Sequence, residues 1–276
     1  MPELPEVETI RLGLAKYLVG HVIEDVEVRL PKIITGDTKQ VTGACVIGVR
    51  RFGKGLVIDL SNNYSIAVHV KMTGQLIYQG KKRSEVSKEK VGSVPNSFTH
   101  FIFHLNKGAK LYYNDMRQFG WIKIVESSKL KMQSFFKNLG PEPFKDLTIE
   151  IFSQILKKNK TAIKPLLMDQ TKISGVGNIY ANDALFLAKI NPKRSAQSLS
   201  EKETKTLFDA LLKVLQKGID AGGASEWHYV NVLGQTGKYQ NFFLVYNKKT
   251  CKNCKGKITK IKLGGRGTYF CQNCQQ

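Results

Sequence analysis

The sequence predicts an α+β protein with two domains and a small C-terminal appendage. Apolar residues recur at helical spacing in the first segment, alternate with a period of two over many short runs, and return to helical spacing from about Leu147. The chain has 276 residues, of which 42% are hydrophobic, and this is enough to bury two ordinary cores. We therefore expect a first domain over residues 1–130, a second over 131–240 and the appendage over 241–276.

The first domain is predicted to be one helix followed by a β-sandwich. In residues 2–20 the apolar side chains of Val7, Ile10 and Leu14 repeat at helical spacing, and prolines occupy the first turn. Period-two alternation then predicts strands over 22–28, 44–50, 55–60, 66–72, 98–105, 110–114 and 121–126. The polar, serine- and lysine-rich stretch 80–96 is expected to be a mobile loop.

The second domain is predicted to be helical. Helices are expected over 148–157, 162–169 and 178–188, and a glycine turn at 174–177 separates the last two. A turn of this kind can point backbone N–H groups at a phosphate. Ser200 and Glu203 form a capping-box pattern at the start of a longer helix.

Four cysteines in the appendage have the spacing of a metal site. Cys251-x2-Cys254 is followed after sixteen residues by Cys271-x2-Cys274, which can bring four thiolates to one tetrahedral ion. Disulfides are the alternative, but two CxxC pairs in a chain without a signal-peptide pattern favour one structural zinc. Cys45, the fifth cysteine, lies in an apolar run and is expected to be a core residue.

The charge of the chain predicts a polyanionic partner. Lysine and arginine number 43 against 22 acidic residues, which gives a formal net charge of +21. Six of these cations and no acid lie between the first and the last of the four cysteines, at Lys252, Lys255, Lys257, Lys260, Lys262 and Arg266. A membrane surface is the competing partner, but no apolar run reaches the length of a spanning helix. We expect a cytoplasmic protein that binds nucleic acid.

The N-terminus carries candidate chemistry. Removal of an initiator Met before a small residue would leave Pro2 with a free secondary amine, whose pKa lies near 8 for a generic α-amine. Such an amine can attack a sugar C1′ and give an iminium suited to β-elimination, and Glu3 could act as general acid. The residues alone leave open that Pro2 simply starts a helix and that Glu3 interacts with its dipole.

Three segments together resemble bacterial formamidopyrimidine-DNA glycosylases. They are residues 2–9 (PELPEVET), residues 175–181 (GVGNIYA) and residues 265–275 (GRGTYFCQNCQ). The resemblance extends from residue 2 to the C-terminus and implies a leading helix with a β-sandwich, a helix-two-turn-helix domain and a C-terminal zinc-finger β-hairpin. It also implies double-stranded DNA with oxidised purines or abasic sites as partner, and a monomer.

The resemblance also assigns roles to residues. It places the nucleophile on Pro2, the acid on Glu3 and a further acidic pocket position on Glu6. It implies that Lys54 contacts the phosphate beside the lesion and that Arg266 shares in the catalytic and phosphate-binding set. Without it, Lys54 would be interpreted as a solvated surface lysine.

Further DNA contacts follow from the same resemblance. The residues that fill the gap left by a flipped base match Met72, Arg117 and Phe119, and phosphate contacts match His69, Asn178 and Arg266. A thioether and a ring can replace lost stacking, and a guanidinium can bond the orphaned base. From periodicity alone, Met72 and Phe119 would be core residues.

Two positions depart from the pattern of the family. Trp227 stands where the loop that covers the flipped base usually has a basic residue. Thr73 stands where many relatives carry Glu. Both positions concern the base pocket, so they affect the expected substrate preference more than the expected catalysis.

The favoured hypothesis is a bifunctional DNA glycosylase and AP lyase of base excision repair. It would excise formamidopyrimidines and 8-oxoguanine opposite cytosine through a Schiff base on Pro2, and nick the strand by β- then δ-elimination. An endonuclease VIII-like enzyme for oxidised pyrimidines is one alternative, against which Leu4 argues, because those relatives usually begin Pro-Glu-Gly-Pro. A non-catalytic zinc-ribbon protein that binds nucleic acid is the other.

Overall fold

A computed structural model of the chain describes residues 1–80, 88–226 and 228–276. These residues form two compact units, Met1–Lys137 with Ala221–Gln240, and Asn138–Asp220 with Asn241–Gln276. The expected boundaries at 130 and 240 stay a prediction. The 221–240 segment, which the sequence analysis grouped with the helical domain, packs with the first unit, because Tyr229 and Val232 are buried in its core.

The first unit contains one long helix and two β-sheets. Helix α1 (Leu4–Leu18) comes first, and short helices α2 (Lys88–Val91) and α3 (Ser134–Lys137) follow later in the chain. The described strands are β1 (Ile23–Val28), β2 (Ile34–Thr35), β3 (Val46–Phe52), β4 (Gly55–Leu60), β5 (Tyr64–His69), β6 (Gly74–Gln79), β7 (Thr99–Leu105), β8 (Ala109–Asp115) and β9 (Trp121–Glu126). One sheet has the order β1-β7-β8-β6 and the other β2-β9-β5-β4-β3, and among the described strand pairs only β2–β9 is parallel.

The core of this unit forms from apolar side chains of both sheets and of α1. Leu14 from the helix, Ile58 from one sheet and Phe103 from the other belong to the same cluster and are each at most 2% exposed. Successive side chains of a strand point to opposite faces, so period-two alternation gives each sheet one apolar face. Two such faces packed together make a sandwich, and the predicted fold is confirmed.

The structure differs from the strand and loop predictions in four places. The strand expected over 66–72 ends at His69, because Lys71 has a left-handed backbone with φ of 47°. Strands β2 and β6 were not predicted. In the stretch expected to be a mobile loop, residues 88–91 form α2 and bury Val91, whereas residues 81–87 lie outside the described part of the chain.

The second unit contains four further helices of the described chain and the cysteine hairpin. Its elements are α4 (Ile149–Lys157), α5 (Ile163–Met168), α6 (Asn178–Leu187), α7 (Glu201–Asp220), β10 (Thr259–Leu263) and β11 (Arg266–Phe270). The predicted capping box is present at α7, where the Ser200 N–H donates to Glu203 and the Glu203 N–H donates to the Ser200 hydroxyl. Within the described residues, no helix is both long and apolar enough to cross a membrane.

Candidate active site and zinc centre

Pro2 and Glu3 lie buried at the start of α1. The carboxylate of Glu6 holds this end of the helix in place, since it accepts a 2.7 Å hydrogen bond from the Glu3 N–H. Its other oxygen accepts a 2.7 Å bond from the Ala224 N–H in the 221–240 segment. Glu6 therefore joins the candidate catalytic residues to that segment through charge-assisted hydrogen bonds.

The 221–240 segment fits against Glu6 because Gly223 has no side chain. Gly223 has φ of 83°, and a Cβ there would lie 2.8 Å from Cγ of Glu6. Tyr229 supports the same turn by donating to the Gly222 carbonyl at 3.0 Å. Burial, together with the charge of Glu6, raises the pKa of Tyr229, which keeps its phenol protonated as a donor. Trp227, the departure noted in this segment, lies outside the described residues.

Lys54 and His69 lie close together. Lys54 is only 6% exposed, so the alternative interpretation of this residue as a solvated surface lysine is wrong. Burial lowers the pKa of His69 to about 3, with smaller contributions from the charges of Lys71 and Lys54. Nδ1 of His69 accepts a 3.0 Å bond from the Lys71 N–H, so the neutral ring carries its proton on Nε2. His69 can therefore act as a neutral hydrogen-bond donor beside a lysine.

Glycines position the Lys54 turn. Gly53 has φ of 55°, and a Cβ on Gly55 would lie 2.5 Å from the ring of Phe135. The same Phe135 ring packs edge-on to the His69 ring, with 4.9 Å between centroids. The β3–β4 turn and the end of β5 thus meet on one aromatic side chain, which sets Lys54 and His69 side by side.

Met72, Arg117 and Phe119 come together at the surface, and we call them the filling triad. Nη1 of Arg117 lies 3.3 Å from the sulfur of Met72, and its Cζ lies 4.7 Å from the centre of the Phe119 ring. Met72 is 40% exposed and Phe119 is 56% exposed. The interpretation of these two as core residues is therefore wrong, and the guanidinium stacks on an aromatic face as cations do.

Asp115, which no sequence pattern singled out, holds the backbone around the filling triad in place through hydrogen bonds. Its buried carboxylate accepts hydrogen bonds from the Thr73 hydroxyl and, at 2.8 Å, from the Gly120 N–H. The Thr73 hydroxyl in turn accepts a 3.1 Å bond from the Arg117 N–H. No sequence pattern marks this role, because Asp115 ends β8 while Thr73 lies 42 residues earlier, in the connection between β5 and β6.

In the second unit, Lys164 is a structural residue. It is fully buried, and its ammonium donates to Asn178 Oδ1 at 2.7 Å, Thr268 Oγ1 at 2.8 Å and the Gly267 carbonyl at 3.0 Å. Asn178 is the first residue of α6, directly after the glycine turn. Lys164 therefore connects that turn to β11.

Arg266 begins β11 directly after a tight turn. Leu263 and Arg266 pair across the hairpin, and the two residues between them, Gly264 and Gly265, have φ of 57° and 74°. Two consecutive positive φ values are typical of the type I′ turn, which favours glycine. Arg266 is exposed, as are the hairpin lysines Lys252, Lys255, Lys257, Lys260 and Lys262.

The four cysteine sulfurs fit a tetrahedral zinc ion. They lie within 4.8 Å of one another, with 3.8 Å between Cys251 and Cys274 and 3.4 Å between Cys254 and Cys271. Zinc–sulfur bonds of about 2.3 Å place tetrahedral sulfurs about 3.8 Å apart. Four thiolates leave no open position, so this is a site for one structural zinc, as predicted. Cys45 lies apart from it and is half-buried.

A helix-led β-sandwich, a helical unit with a glycine turn and a zinc hairpin together define a class, the zinc-containing DNA glycosylases. The formamidopyrimidine-DNA glycosylase N-terminal domain matches residues 1–122, the H2TH domain of the same enzymes matches 139–228, and the zinc finger found in FPG and IleRS matches 248–276. This chain belongs to the formamidopyrimidine-DNA glycosylase family.

Individual relatives agree over the full length. The formamidopyrimidine-DNA glycosylase of Pelotomaculum thermopropionicum is 42% identical, over 100% of this chain and 99% of that protein. The Listeria monocytogenes enzyme is 39% identical with both chains fully covered. The crystal structure of a Lactococcus lactis FPG mutant in complex with Fapy-dG-containing DNA superposes with a TM-score of 0.88 at 35% identity, with both chains fully covered.

Proposed function

We propose that this protein is a bifunctional DNA glycosylase and AP lyase that removes oxidised purines from double-stranded DNA, acting as a monomer. The observation that carries the proposal is the arrangement at the start of α1, where Pro2 and Glu3 lie next to a carboxylate bonded to the 221–240 segment. A protein that only binds nucleic acid has no need of a buried proline and acid in this arrangement.

The chemistry begins once Met1 has been removed, which converts the Pro2 nitrogen from an amide to a secondary amine. The amine nitrogen forms a bond to C1′ of the damaged nucleoside, while the glycosidic bond breaks and its electron pair leaves with the base. Glu3 supplies a proton to the leaving base or to the opened ribose oxygen. The nitrogen then loses its proton and the C1′–O4′ bond breaks, with O4′ taking up a proton, so that nitrogen and C1′ form a cationic iminium. The iminium draws electrons from C2′, so that loss of a C2′ proton expels the 3′ phosphate, and loss of the C4′ proton in a second elimination expels the 5′ phosphate.

Cations and neutral donors hold the backbone during these steps. Lys54 and His69 in the first unit, and Asn178 and Arg266 in the second, are the proposed phosphate contacts. A neutral His69 donates a hydrogen bond without adding charge, whereas Lys54 and Arg266 contribute salt-dependent attraction. The zinc supports the hairpin that carries Arg266 and takes no part in the chemistry.

A base must leave the stack before Pro2 can reach its sugar. We propose that the filling triad occupies the resulting gap and that the flipped base enters a pocket of about 370 Å³ in the first unit. Thr73 and Met116, the chain neighbours of two triad residues, line this pocket together with His228 of the 221–240 segment. Its volume lies in the range of small-ligand sites.

Borohydride trapping tests the proposal. The chain with Met1 removed is mixed with a duplex that carries one 8-oxoguanine opposite cytosine, then reduced, and the cross-linked peptide is mapped by mass spectrometry. An adduct on Pro2 is expected, and the same chain with Met1 retained is the matched control that should give none.

Two other outcomes would support the alternatives. A Lactococcus lactis relative has been crystallised with DNA that contains an oxidised pyrimidine. Efficient trapping on an oxidised-pyrimidine duplex, with none on 8-oxoguanine or formamidopyrimidine duplexes, would indicate an endonuclease VIII-like enzyme. Tight binding with no adduct on any of these duplexes would indicate a non-catalytic DNA-binding protein.

A further inference from the structure

One wall of the pocket in the first unit is the outer face of the four-stranded sheet. Gln75 and Asn114 are directly paired across β6 and β8 on this wall. The opposite wall is the stretch from Lys90 to Phe98. Val91 of this stretch packs against Ile77 and Tyr112 of the sheet. The pocket therefore lies within the first unit, between the sheet and this stretch.

Asn114 lines this pocket, and its side-chain amide has a donor without a partner among the described residues. The residue is 3% exposed, and its Oδ1 accepts a 2.7 Å hydrogen bond from the Thr99 hydroxyl. That hydroxyl also accepts a 2.9 Å bond from the Asn96 N–H, so it has its own proton to give to Asn114, and this fixes the orientation of the amide. The Nδ2 group is left buried with no hydrogen-bond partner among the described residues.

A buried amide donor without a partner costs free energy, because it has lost its hydrogen bonds to water. The other buried amide on the same wall is different, since Gln75 Nε2 donates to the carbonyls of His228 and Lys90. Of these two amides, Asn114 thus has the donor that remains for a ligand, and the ligand atom that it requires is an acceptor.

The contacts of the pocket wall place it next to the proposed reaction centre. Lys90 donates to the carbonyl of Ser225, and the preceding residue, Ala224, donates to Glu6. On the other side, Thr73 lines the pocket and bonds to the Arg117 backbone of the filling triad. A nucleotide that leaves the stack at the triad and presents its C1′ to Pro2 would place its base in this space.

We propose that Asn114 is a specificity-determining residue, whose free Nδ2–H donates a hydrogen bond to a carbonyl oxygen of the flipped base. This inference rests on the proposed function. A guanine-derived lesion has such a carbonyl at C6 of the purine, whereas the adenine-derived counterpart has an amino group there and would place a donor against a donor. The preferred substrates are therefore oxidised guanines over oxidised adenines.

Asn114→Asp tests the proposal with little change in shape. The carboxylate can still accept from Thr99, but it offers the base an acceptor in place of the donor. The measurement is kcat/KM on duplexes with guanine-derived and adenine-derived formamidopyrimidines, together with AP lyase activity on a preformed abasic site. We expect the ratio of guanine to adenine lesion to fall by about tenfold or more, while AP lyase activity stays within about twofold because no base is present.

Asn106→Asp is the matched control for added negative charge, since Asn106 lies in the turn before β8, at the other end of that strand from Asn114. It should leave the ratio unchanged. An unchanged ratio in Asn114→Asp, or a loss of AP lyase activity equal to the loss on lesions, would overturn the role of Asn114. If the wild-type protein cleaves none of these duplexes, the proposed function itself fails, which is a different result from an active enzyme with an unaltered ratio.

Discussion

The buried ammonium of Lys164 donates a 2.7 Å hydrogen bond to the side-chain oxygen of Asn178. This bond defines which side of the Asn178 amide is oxygen, and it leaves the Nδ2 group as a donor at the N-terminal end of α6. The same ammonium bonds to Thr268 and Gly267 in the hairpin that presents Arg266. One buried cation thus orders two proposed phosphate contacts that are distant in the sequence.

Lys164→Met should therefore weaken DNA binding although residue 164 never reaches the surface. Methionine has a similar length but cannot donate to Asn178, to Thr268 or to the Gly267 carbonyl. We expect the free energy of unfolding to fall by about 2–4 kcal/mol, since each unsatisfied buried group costs about 1–3 kcal/mol. We also expect about tenfold weaker binding to an abasic-site duplex, measured by fluorescence anisotropy.

Lys160→Met is the control for that experiment, because Lys160 is exposed and its replacement removes the same charge. It should leave stability nearly unchanged and weaken binding only slightly. Equal effects of the two substitutions would show that Lys164 acts through charge alone.

Lys164 also shows where prediction from sequence ends. It is one of four lysines within residues 157–164, a density that favours a solvated surface, whereas its partners lie 14 and 104 residues away in the chain. The cysteine site and the α7 capping box were predictable, because the spacing within a short segment defines them. The filling triad could be assigned only by resemblance, since periodicity placed Met72 in the core and gave no sign of the turn at Lys71.

Asp115→Asn should impair the filling triad while preserving the fold. The amide would turn a donor toward at least one of the groups that now donate to Asp115, which include the Thr73 hydroxyl and the N–H of Gly120. We expect kcat/KM on a lesion duplex to fall by about tenfold or more. Base flipping should be slower, which the fluorescence of 2-aminopurine beside the lesion would report. Normal flipping in a folded variant would contradict a role for Asp115 in positioning the triad.

Zinc removal should reduce DNA binding through the hairpin. Structural zinc sites contribute folding free energy directly, so Cys271→Ser is expected to lose the ion and disorder β10 and β11. Binding to an abasic-site duplex should weaken by at least about tenfold, because Arg266 and the exposed lysines would no longer be held together. Cys45→Ser is the matched control and should keep one zinc per chain, measured by mass spectrometry of the native protein. A Cys271→Ser protein that retains zinc and affinity would refute the site.

His69 should make stability depend on pH in a defined window. The folded pKa of about 3 lies below the ordinary value of 6.5, so between these values the unfolded chain binds a proton that the folded chain does not. The contribution of the neutral ring is fully present above pH 6.5 and is lost as the pH falls toward 3. The slope of the free energy of unfolding attributable to His69 is at most about 1.4 kcal/mol per pH unit.

His69→Gln tests this dependence, because it keeps an acceptor for the Lys71 N–H but has no titrating ring. Urea unfolding between pH 7 and 4.5 should show a shallower loss of stability than in the wild type. Equal slopes would mean that the buried ring does become protonated in the folded protein, and a neutral donor to phosphate could then no longer be assigned to His69.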